Sequence, residues 1–268
     1  MMRRALREHW PEYLLEAAEL ALFMVAAGAF TTLLEWPGSP AHQAIADAFV
    51  RRMLIGLAMG LTAVGLIFSP LGKRSGAHMN PAVTLAFVRL GKIRPWDAAF
   101  YIVAQFIGGM AGIALAALLL HDGFVPPPVN HAATVPGPSG AGVAFVAEFV
   151  ISFGLMLTVL TVSNTPKLAR WTGVFAGALV ASYITFEAPL SGMSMNPART
   201  LGSAVAASLW TGLWVYFTAP VLAMLLAAEV HVRSGRAVYC AKLHHHNGAR
   251  CIFNCDFKRL LEQEDQTR

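Results

Sequence analysis

Charged residues are scarce in this chain. Asp, Glu, Lys and Arg make up 13% of its 268 residues, whereas hydrophobic residues make up 56% and the mean hydropathy is +0.55. Soluble domains carry about 25% charged residues. So few charges cannot coat a soluble surface of this size. The composition therefore excludes an ordinary soluble domain and indicates a membrane protein.

Cysteine is also scarce, which excludes a disulfide framework in the apolar part of the chain. The three cysteines all lie near the C-terminus, where a reducing cytoplasmic location would disfavour a disulfide. Together with nearby histidines they form a weak candidate set of zinc ligands. This set consists of Cys240, His244, His246, Cys251 and Cys255. Its spacing matches none of the common short zinc patterns, so we favour a solvated basic tail with no metal and no cofactor.

The chain also lacks the signatures of an enzyme. It contains no recognisable nucleophile–base pair, phosphate-binding loop or cofactor fingerprint. These absences argue against a catalytic function.

The net charge of +5 reports topology rather than a nucleic-acid partner. Six membrane crossings would place 17 of the 20 Lys and Arg residues on one side. These 17 residues fall within segments 3–7, 73–94, 167–170 and 233–268. This is the positive-inside pattern. We therefore expect a multi-pass protein of the inner (plasma) membrane, in contact with the lipid bilayer, with both termini in the cytoplasm.

Six long apolar segments divide the chain into two halves. They cover about residues 13–34, 52–68, 96–120, 141–162, 171–186 and 210–230. The first segment is too long for a signal peptide and carries charge, so we interpret it as a retained span. We expect a lead-in (1–12), a transmembrane domain (13–230) and a cytoplasmic Cys/His-containing tail (231–268). Within the domain, one repeat covers about 13–120 and the other about 141–230.

Each half contains one copy of the same tripeptide. Asn80-Pro81-Ala82 lies in the first half and Asn196-Pro197-Ala198 in the second. Asn is a strong N-cap and Pro is favoured at the first helical position, so each copy should begin a helix. The apolar residues that follow, 83–88 and 201–207, are too few to cross a bilayer. Two such half-helices in corresponding places indicate a transport path at the membrane midplane.

The two motifs and their surroundings resemble the aquaporin family (major intrinsic proteins) over about residues 13–230. The resemblance implies an all-α membrane protein with six transmembrane helices and two re-entrant half-helices in an inverted repeat. It also implies a homotetramer of passive channels for water that exclude protons and ions. Small neutral solutes are further candidate permeants.

Arg199 follows the second motif and matches the filter arginine of that family. An arginine at membrane depth should face a water-filled cavity or a carboxylate, so an ion pair with Glu187 is the alternative. By the same resemblance, Ile184 and Met193 occupy two further filter positions. The remaining position, in the second span, falls on Met59 or on its neighbour Gly60.

The filter departs from the water-channel pattern and is closer to the plant nodulin-type members. Ile184 stands where water-specific members usually have His, which leaves Arg199 opposite an apolar wall. We therefore consider a channel mainly for glycerol or uncharged metalloid acids as an alternative to a water channel. A coupled secondary transporter is less favoured, because it would normally show coupled acidic or ion sites and more spans.

Three further polar residues lie within or beside the apolar segments. His78 matches a family histidine of the cytoplasmic vestibule, although a histidine beside a helix start is often a structural hydrogen-bonding group. Glu19 and Glu148 occupy corresponding points of the first and fourth spans. The resemblance implies that their carboxylates hold the loops before the half-helices. A proton relay is the alternative.

Overall fold

The computed structural model describes residues 1–245, 250–259 and 262, and these residues form helices and connecting segments without a β-strand. The α-helices are α1 (Met2–Glu35), α2 (Pro40–Ala44), α3 (Ala48–Phe68), α4 (Pro70–Ser75), α5 (Pro81–Arg89), α6 (Pro95–Leu120), α7 (Gly140–Ser163), α8 (Thr172–Phe186), α9 (Ala188–Ser191), α10 (Pro197–Ala207) and α11 (Leu213–Arg233). Short 3₁₀ turns lie at His121–Gly123, Asn130–Ala132 and Ala169–Trp171. The predicted all-α class is confirmed.

Five of the described helices are long and apolar enough to cross a membrane, namely α1, α3, α6, α7 and α11. The sixth predicted span is α8, which has 15 residues. At 1.5 Å per residue α8 is about 23 Å long, shorter than a typical span. The chain lengthens this crossing with the 3₁₀ turn before α8 and the short α9 after it.

The first helix begins earlier than the sequence predicted. Residues 1–12, expected as a separate lead-in, are nearly all part of α1, which starts at Met2 and contains Pro11. The last span begins later, at Leu213 rather than near 210.

The helices pack in symmetric pairs. The first and last long helices of each half pack together, α1 on α6 and α7 on α11, and α3 packs on α8 between the halves. Each half-helix packs against the last span of the opposite half, α5 on α11 and α10 on α6. This exchange joins the two halves into one body, as an inverted repeat requires.

Glycines allow the closest helix contacts. An added Cβ at Gly60 of α3 would lie 2.5 Å from the carbonyl oxygen of Gly177 in α8. At Gly108 of α6 it would lie 2.2 Å from the carbonyl oxygen of Ala17 in α1. Small residues at these positions bring the backbones together, which is how membrane helices commonly associate.

We expect Gly60→Ala to destabilise the protein and Gly65→Ala to leave it intact or stabilise it slightly. The first change overpacks the α3–α8 contact, at a cost of about 1–3 kcal/mol. Gly65 lies in the same helix, and an added Cβ there has no atom within 4 Å. Replacing this helical glycine should contribute about 0.5–1 kcal/mol. Thermal unfolding of both variants in detergent checks this; equal midpoints would contradict the close α3–α8 contact.

Candidate functional site

The two Asn-Pro-Ala motifs meet through reciprocal hydrogen bonds. The side-chain amide of Asn80 donates to the carbonyl oxygen of Met195, and that of Asn196 donates to the carbonyl oxygen of Met79, both at 2.7 Å. Each Asn Oδ1 also caps its own half-helix: Asn80 accepts from the N–H of Ala82 at 2.9 Å. An Asn amide carries two N–H groups. One N–H of each Asn therefore remains for the cavity that both residues line.

The loops before the half-helices share an unusual backbone. Ala77, Met79, Met193 and Met195 all have φ between 50° and 56°. A left-handed conformation costs a residue with a Cβ about 1–2 kcal/mol. Four such residues at matching positions need surrounding contacts that hold them in place.

Buried carboxylates supply these contacts. Glu148 in α7 accepts hydrogen bonds from the N–H groups of Ser194 and Met195, at 2.6 and 2.7 Å. Glu16 in α1 does the same for the first loop, accepting from the N–H groups of His78 and Met79 at 2.9 and 2.7 Å.

In the first half, two residues share the role that the sequence analysis assigned to Glu19 alone, namely to hold the loop before the half-helix. Glu19 accepts a hydrogen bond from the Ser75 hydroxyl at 2.9 Å. Glu148 accepts the corresponding bond from Ser191 at 2.9 Å in addition to its backbone bonds. Glu19 thus makes the bond to the serine hydroxyl that Glu148 makes in the second half, and Glu16 makes the two bonds to backbone N–H groups. Glu16 was not among the predicted site residues, although it precedes Glu19 by about one helical turn and so faces the same side.

Two tyrosines complete the loop contacts. They were not predicted as a pair from the sequence. Tyr101 of α6 donates to the carbonyl oxygen of Ser75 at 2.6 Å, and Tyr216 of α11 donates to that of Ser191 at 2.5 Å. Both are fully buried last-span residues. The matching bonds show that the two-fold repeat extends from the motifs to their surroundings.

A cavity of about 460 Å³ runs past both motifs. On the face that carries the α1–α3 connection its walls include Thr31, Glu35 and Arg52. On the face that carries the C-terminal tail they include His78 and Leu243. Most of the wall between these ends is apolar, contributed by both repeats.

All four residues expected in the filter line this cavity: Met59, Ile184, Met193 and Arg199. Met59, rather than Gly60, faces it, because Gly60 is in contact with Gly177 of α8. The two methionines are almost fully buried, with exposures of 2% and 6%.

Arg199 and Glu187 do not form an ion pair among the contacts of the described residues. The guanidinium Nη1 of Arg199 and both carboxylate oxygens of Glu187 are buried without a hydrogen-bond partner. Arg199 lines the cavity, although its Nη1 atom is itself enclosed by protein. This geometry favours the cavity-facing arrangement over the ion pair.

His78 lies at the tail end of the cavity with both ring nitrogens in contact with protein atoms. Nδ1 lies 3.1 Å from the Thr84 hydroxyl, and Nε2 lies 2.8 Å from the carbonyl oxygen of Ala241 in the tail. The ring stacks on Phe253, another tail residue, with centroids 5.4 Å apart. His78 is thus a hydrogen-bonding element that also lines the vestibule.

The tail gathers three cysteines and one histidine. One ligand atom from each of Cys240, His245, Cys251 and Cys255 lies within 4.8 Å of all the others. Hydrogen bonds from the Cys240 and Cys251 thiols hold the pKa of the Cys255 thiol below its usual range.

The histidine in this cluster differs from the two that the sequence suggested. His244 packs its ring against Phe68 instead, with centroids 4.6 Å apart. His246 lies outside the described residues.

The chain is similar to plant proteins of known family. It is 39% identical over 180 residues to "Aquaporin NIP6-1" of Arabidopsis thaliana and 40% identical over 174 residues to "Aquaporin NIP2-1" of Zea mays. The matches cover 66% and 64% of this chain, and 57% and 56% of the relatives. The chain thus spans less than two thirds of the length of these relatives.

The fold resembles that of the aquaglyceroporin from Plasmodium falciparum, with a TM-score of 0.69 over 84% of this chain and 96% of that chain. At 21% identity, this likeness concerns the fold alone. The sequence profile described as "Major intrinsic protein" matches residues 7–231, from the first long helix into the last. The match includes both half-helices and the carboxylates that hold their loops, and the chain belongs to the major intrinsic protein family, that of the aquaporins.

Proposed function

We propose that this multi-pass membrane protein is a passive channel for water and small neutral hydroxylated solutes that excludes protons and ions. The observation that carries the proposal is the reciprocal bonding of Asn80 and Asn196 beside one cavity. Membership of a channel family already excludes an enzyme.

The charge at the motifs opposes cations. The N-termini of α5 and α10 meet there, and each contributes a partial positive charge, nominally about half an elementary charge. Arg199 adds a full positive charge one turn further along the cavity wall. Positive half-helix ends and an arginine are the features by which pores of this type exclude cations and protons, and aquaporins are the general example of that rule.

The free N–H groups of the two asparagines explain how water can pass without a proton relay. A water oxygen beside both residues can accept two hydrogen bonds, one from each amide. Its own hydrogens then point away along the cavity, so a hydrogen-bonded chain cannot keep one direction through this point. A proton would need such a chain in order to hop across.

The filter residues support passage of neutral solutes larger than water. Ile184 gives part of the cavity wall an apolar surface, and Arg199, which lines the same cavity, carries the guanidinium donors that a hydroxyl group would use. A molecule with hydroxyls on one side and carbon or a metalloid centre on the other fits such a pair of walls. Met59 and Met193 set the width, and their flexible side chains can adapt to different solutes.

The support of the loops by Glu16, Glu19 and Glu148 is part of the same proposal. These carboxylates accept hydrogen bonds from loop groups that the left-handed backbone would otherwise leave without partners in a buried position. We assign them a structural role rather than a proton relay, because each is held by loop donors.

The orientation and assembly follow from charge and family. We propose that both termini lie in the cytoplasm and that the protein resides in the plasma membrane, a proposal supported by the basic segments that six crossings would gather on one side. We propose a homotetramer with one pore in each subunit. The exposed apolar side chains of the long helices, among them Leu61, Leu118 and Val146, face lipid or neighbouring subunits.

We expect liposomes that contain the protein to shrink faster than empty ones under an osmotic gradient, with a low activation energy. With glycerol outside, shrinkage should be followed by re-swelling, and an imposed pH gradient should persist. Stopped-flow light scattering and a trapped pH dye measure these properties. Water flux no greater than that of empty liposomes would contradict the channel, and saturable, gradient-coupled uptake would indicate a transporter.

We expect Met193→Ala to raise glycerol permeability several-fold relative to water permeability, because it removes most of a side chain from the cavity wall. Ile184→His should lower the glycerol rate and retain the water rate, because it replaces the apolar wall that would contact the carbon chain of glycerol with a polar one. Leu222→Ala is the control, since Leu222 is 53% exposed on the outside of α11. The measurement is the ratio of glycerol permeability to water permeability from stopped-flow traces. An unchanged ratio in both variants would show that Met193 and Ile184 are not filter residues.

We expect Glu148→Gln to destabilise the second loop and to reduce water permeability. The substitution replaces an acceptor oxygen with an NH₂ group that faces loop donors, at a cost of about 1–3 kcal/mol. Glu229→Gln is the control, because Glu229 forms ion pairs with Arg89 and Arg233 at the surface. Thermal unfolding in detergent and water flux in liposomes check this, and a Glu148 variant as stable as the control would argue against the role.

A further inference from the structure

The C-terminal tail folds back over one end of the cavity. Leu243 lines the cavity, and its N–H donates to the carbonyl oxygen of Gly76 at 3.1 Å. The carbonyl oxygen of Ala241 lies 2.8 Å from Nε2 of His78, and Phe253 stacks on the same ring. Two separate pieces of the tail thus contact the loop that leads into the first half-helix.

The tail is also attached around the rim of this opening. Tyr239 donates its N–H to Asn164 Oδ1 at 2.6 Å, beside the connection between α7 and α8. Asn254 donates its N–H to the carbonyl oxygen of Lys92 at 2.9 Å, in the connection between α5 and α6. Lys242 donates its ammonium group to the carbonyl oxygen of Lys73 at 2.6 Å, in α4. The tail therefore spans the mouth from one repeat to the other.

The described part of the tail after α11 has little regular secondary structure. Even so, Cys240, Ala241, Leu243, Ile252 and Phe253 are each at most 7% exposed. These residues are buried against the helical domain, so an ion that joined the separate pieces of the tail would stabilise this packing.

The four ligand atoms of the tail all lie within 4.8 Å of one another, and two of the separations between them are close to those of a tetrahedral metal site. Zn–S bonds of about 2.3 Å and Zn–N bonds of about 2.0–2.1 Å at tetrahedral angles place neighbouring ligand atoms roughly 3.5–3.8 Å apart. The Cys240 and Cys251 sulfurs are 3.6 Å apart, and the Cys255 sulfur is 3.3 Å from Nε2 of His245. Three thiolates with one imidazole form one of the standard structural zinc sets.

The ligands also bracket the two pieces of tail that contact the mouth. Cys240 and His245 lie on either side of Ala241 and Leu243 in the sequence, and Cys251 and Cys255 lie on either side of Phe253. A single ion bound to all four would hold both pieces together and against the loop. We propose that Cys240, His245, Cys251 and Cys255 bind one zinc ion, and that the metal-bound tail closes the cytoplasmic mouth of the channel.

The regulatory half of this proposal rests on the proposed channel function, whereas the metal site does not. A soft, thiolate-rich site selects Zn²⁺ over hard cations such as Mg²⁺ and Ca²⁺. A reducing cytoplasm keeps the thiols available. Because metal binding and the folding of its ligand segment are one equilibrium, removal of the ion would release the tail.

The metal site is tested with the full-length protein in detergent, reduced and stripped of metal. Titration with Co²⁺ should produce one equivalent of sulfur-to-cobalt charge-transfer absorption and tetrahedral d–d bands, both abolished by added Zn²⁺. Cys251→Ser and Cys255→Ser should each weaken binding about tenfold or more, whereas His244→Gln, which changes the neighbouring histidine, should not. Three results would overturn the site. They are the absence of these bands in the unchanged protein, binding by both Cys variants that is as tight as that of the unchanged protein, and a Cys240–Cys251 disulfide under reducing conditions.

The closing role is tested with liposomes that contain the same proteins. A zinc ionophore or a membrane-permeant chelator sets the metal on both faces, so insertion orientation does not matter. Chelation should raise the water permeability of the unchanged protein several-fold, and zinc should reverse the effect. Cys251→Ser should remain at the chelated level under both conditions, while His244→Gln should respond like the unchanged protein.

The outcomes separate the two proposals. Zinc-independent permeability in a protein that shows the cobalt–thiolate bands would overturn the closing role and leave the channel intact. Permeability equal to that of empty liposomes, with and without chelator, would overturn the channel function and with it the closing role. In that case the cobalt spectrum alone supports or excludes the metal site.

Discussion

The structure depends on the contact between two helix N-termini in the interior of a membrane protein. Two positive helix ends repel each other, and their free N–H groups need partners that lipid cannot supply. Asn80 and Asn196 meet both requirements. Each side-chain oxygen accepts a hydrogen bond from an N–H group of its own helix, and each side-chain NH₂ group donates to a carbonyl oxygen of the opposite loop, which holds the two ends together. The repeat is inverted because only oppositely inserted half-helices can make this exchange.

This contact determines which other residues the protein needs. The loops must turn sharply to bring Met79 and Met195 within reach of the asparagines, which places four non-glycine residues in the left-handed region. The backbone N–H groups released by that turn are buried, and an unpaired buried donor costs about 1–3 kcal/mol. Glu16 and Glu148 accept these hydrogen bonds. The burial of Glu16 and Glu148 thus follows from the geometry of the loops.

The tail is held in place by a different kind of contact from the transmembrane helices. The transmembrane helices are held by close backbone contacts such as that of Gly60 with Gly177, and their apolar surfaces suit lipid. The described tail residues instead pack as irregular chain against the polar end of the cavity, with Ala241 and Phe253 on His78. This segment lies at the entrance to the proposed path, where Leu243 lines the cavity.

The class, the span pattern and the two half-helices could be predicted from the amino-acid sequence, because these features depend on local properties. Hydropathy marks segments that suit lipid, and an Asn-Pro pair caps a helix wherever it occurs. The sequence could not decide between Met59 and Gly60, or between an ion pair and a cavity for Arg199, because those choices depend on how α3, α8 and α10 rotate against one another. It also could not show that Glu16 contacts the first loop, or that His245 rather than His244 or His246 joins the cysteines. Such contacts between distant residues exist only after the chain has packed, since spacing along the chain does not determine which side chains meet across it.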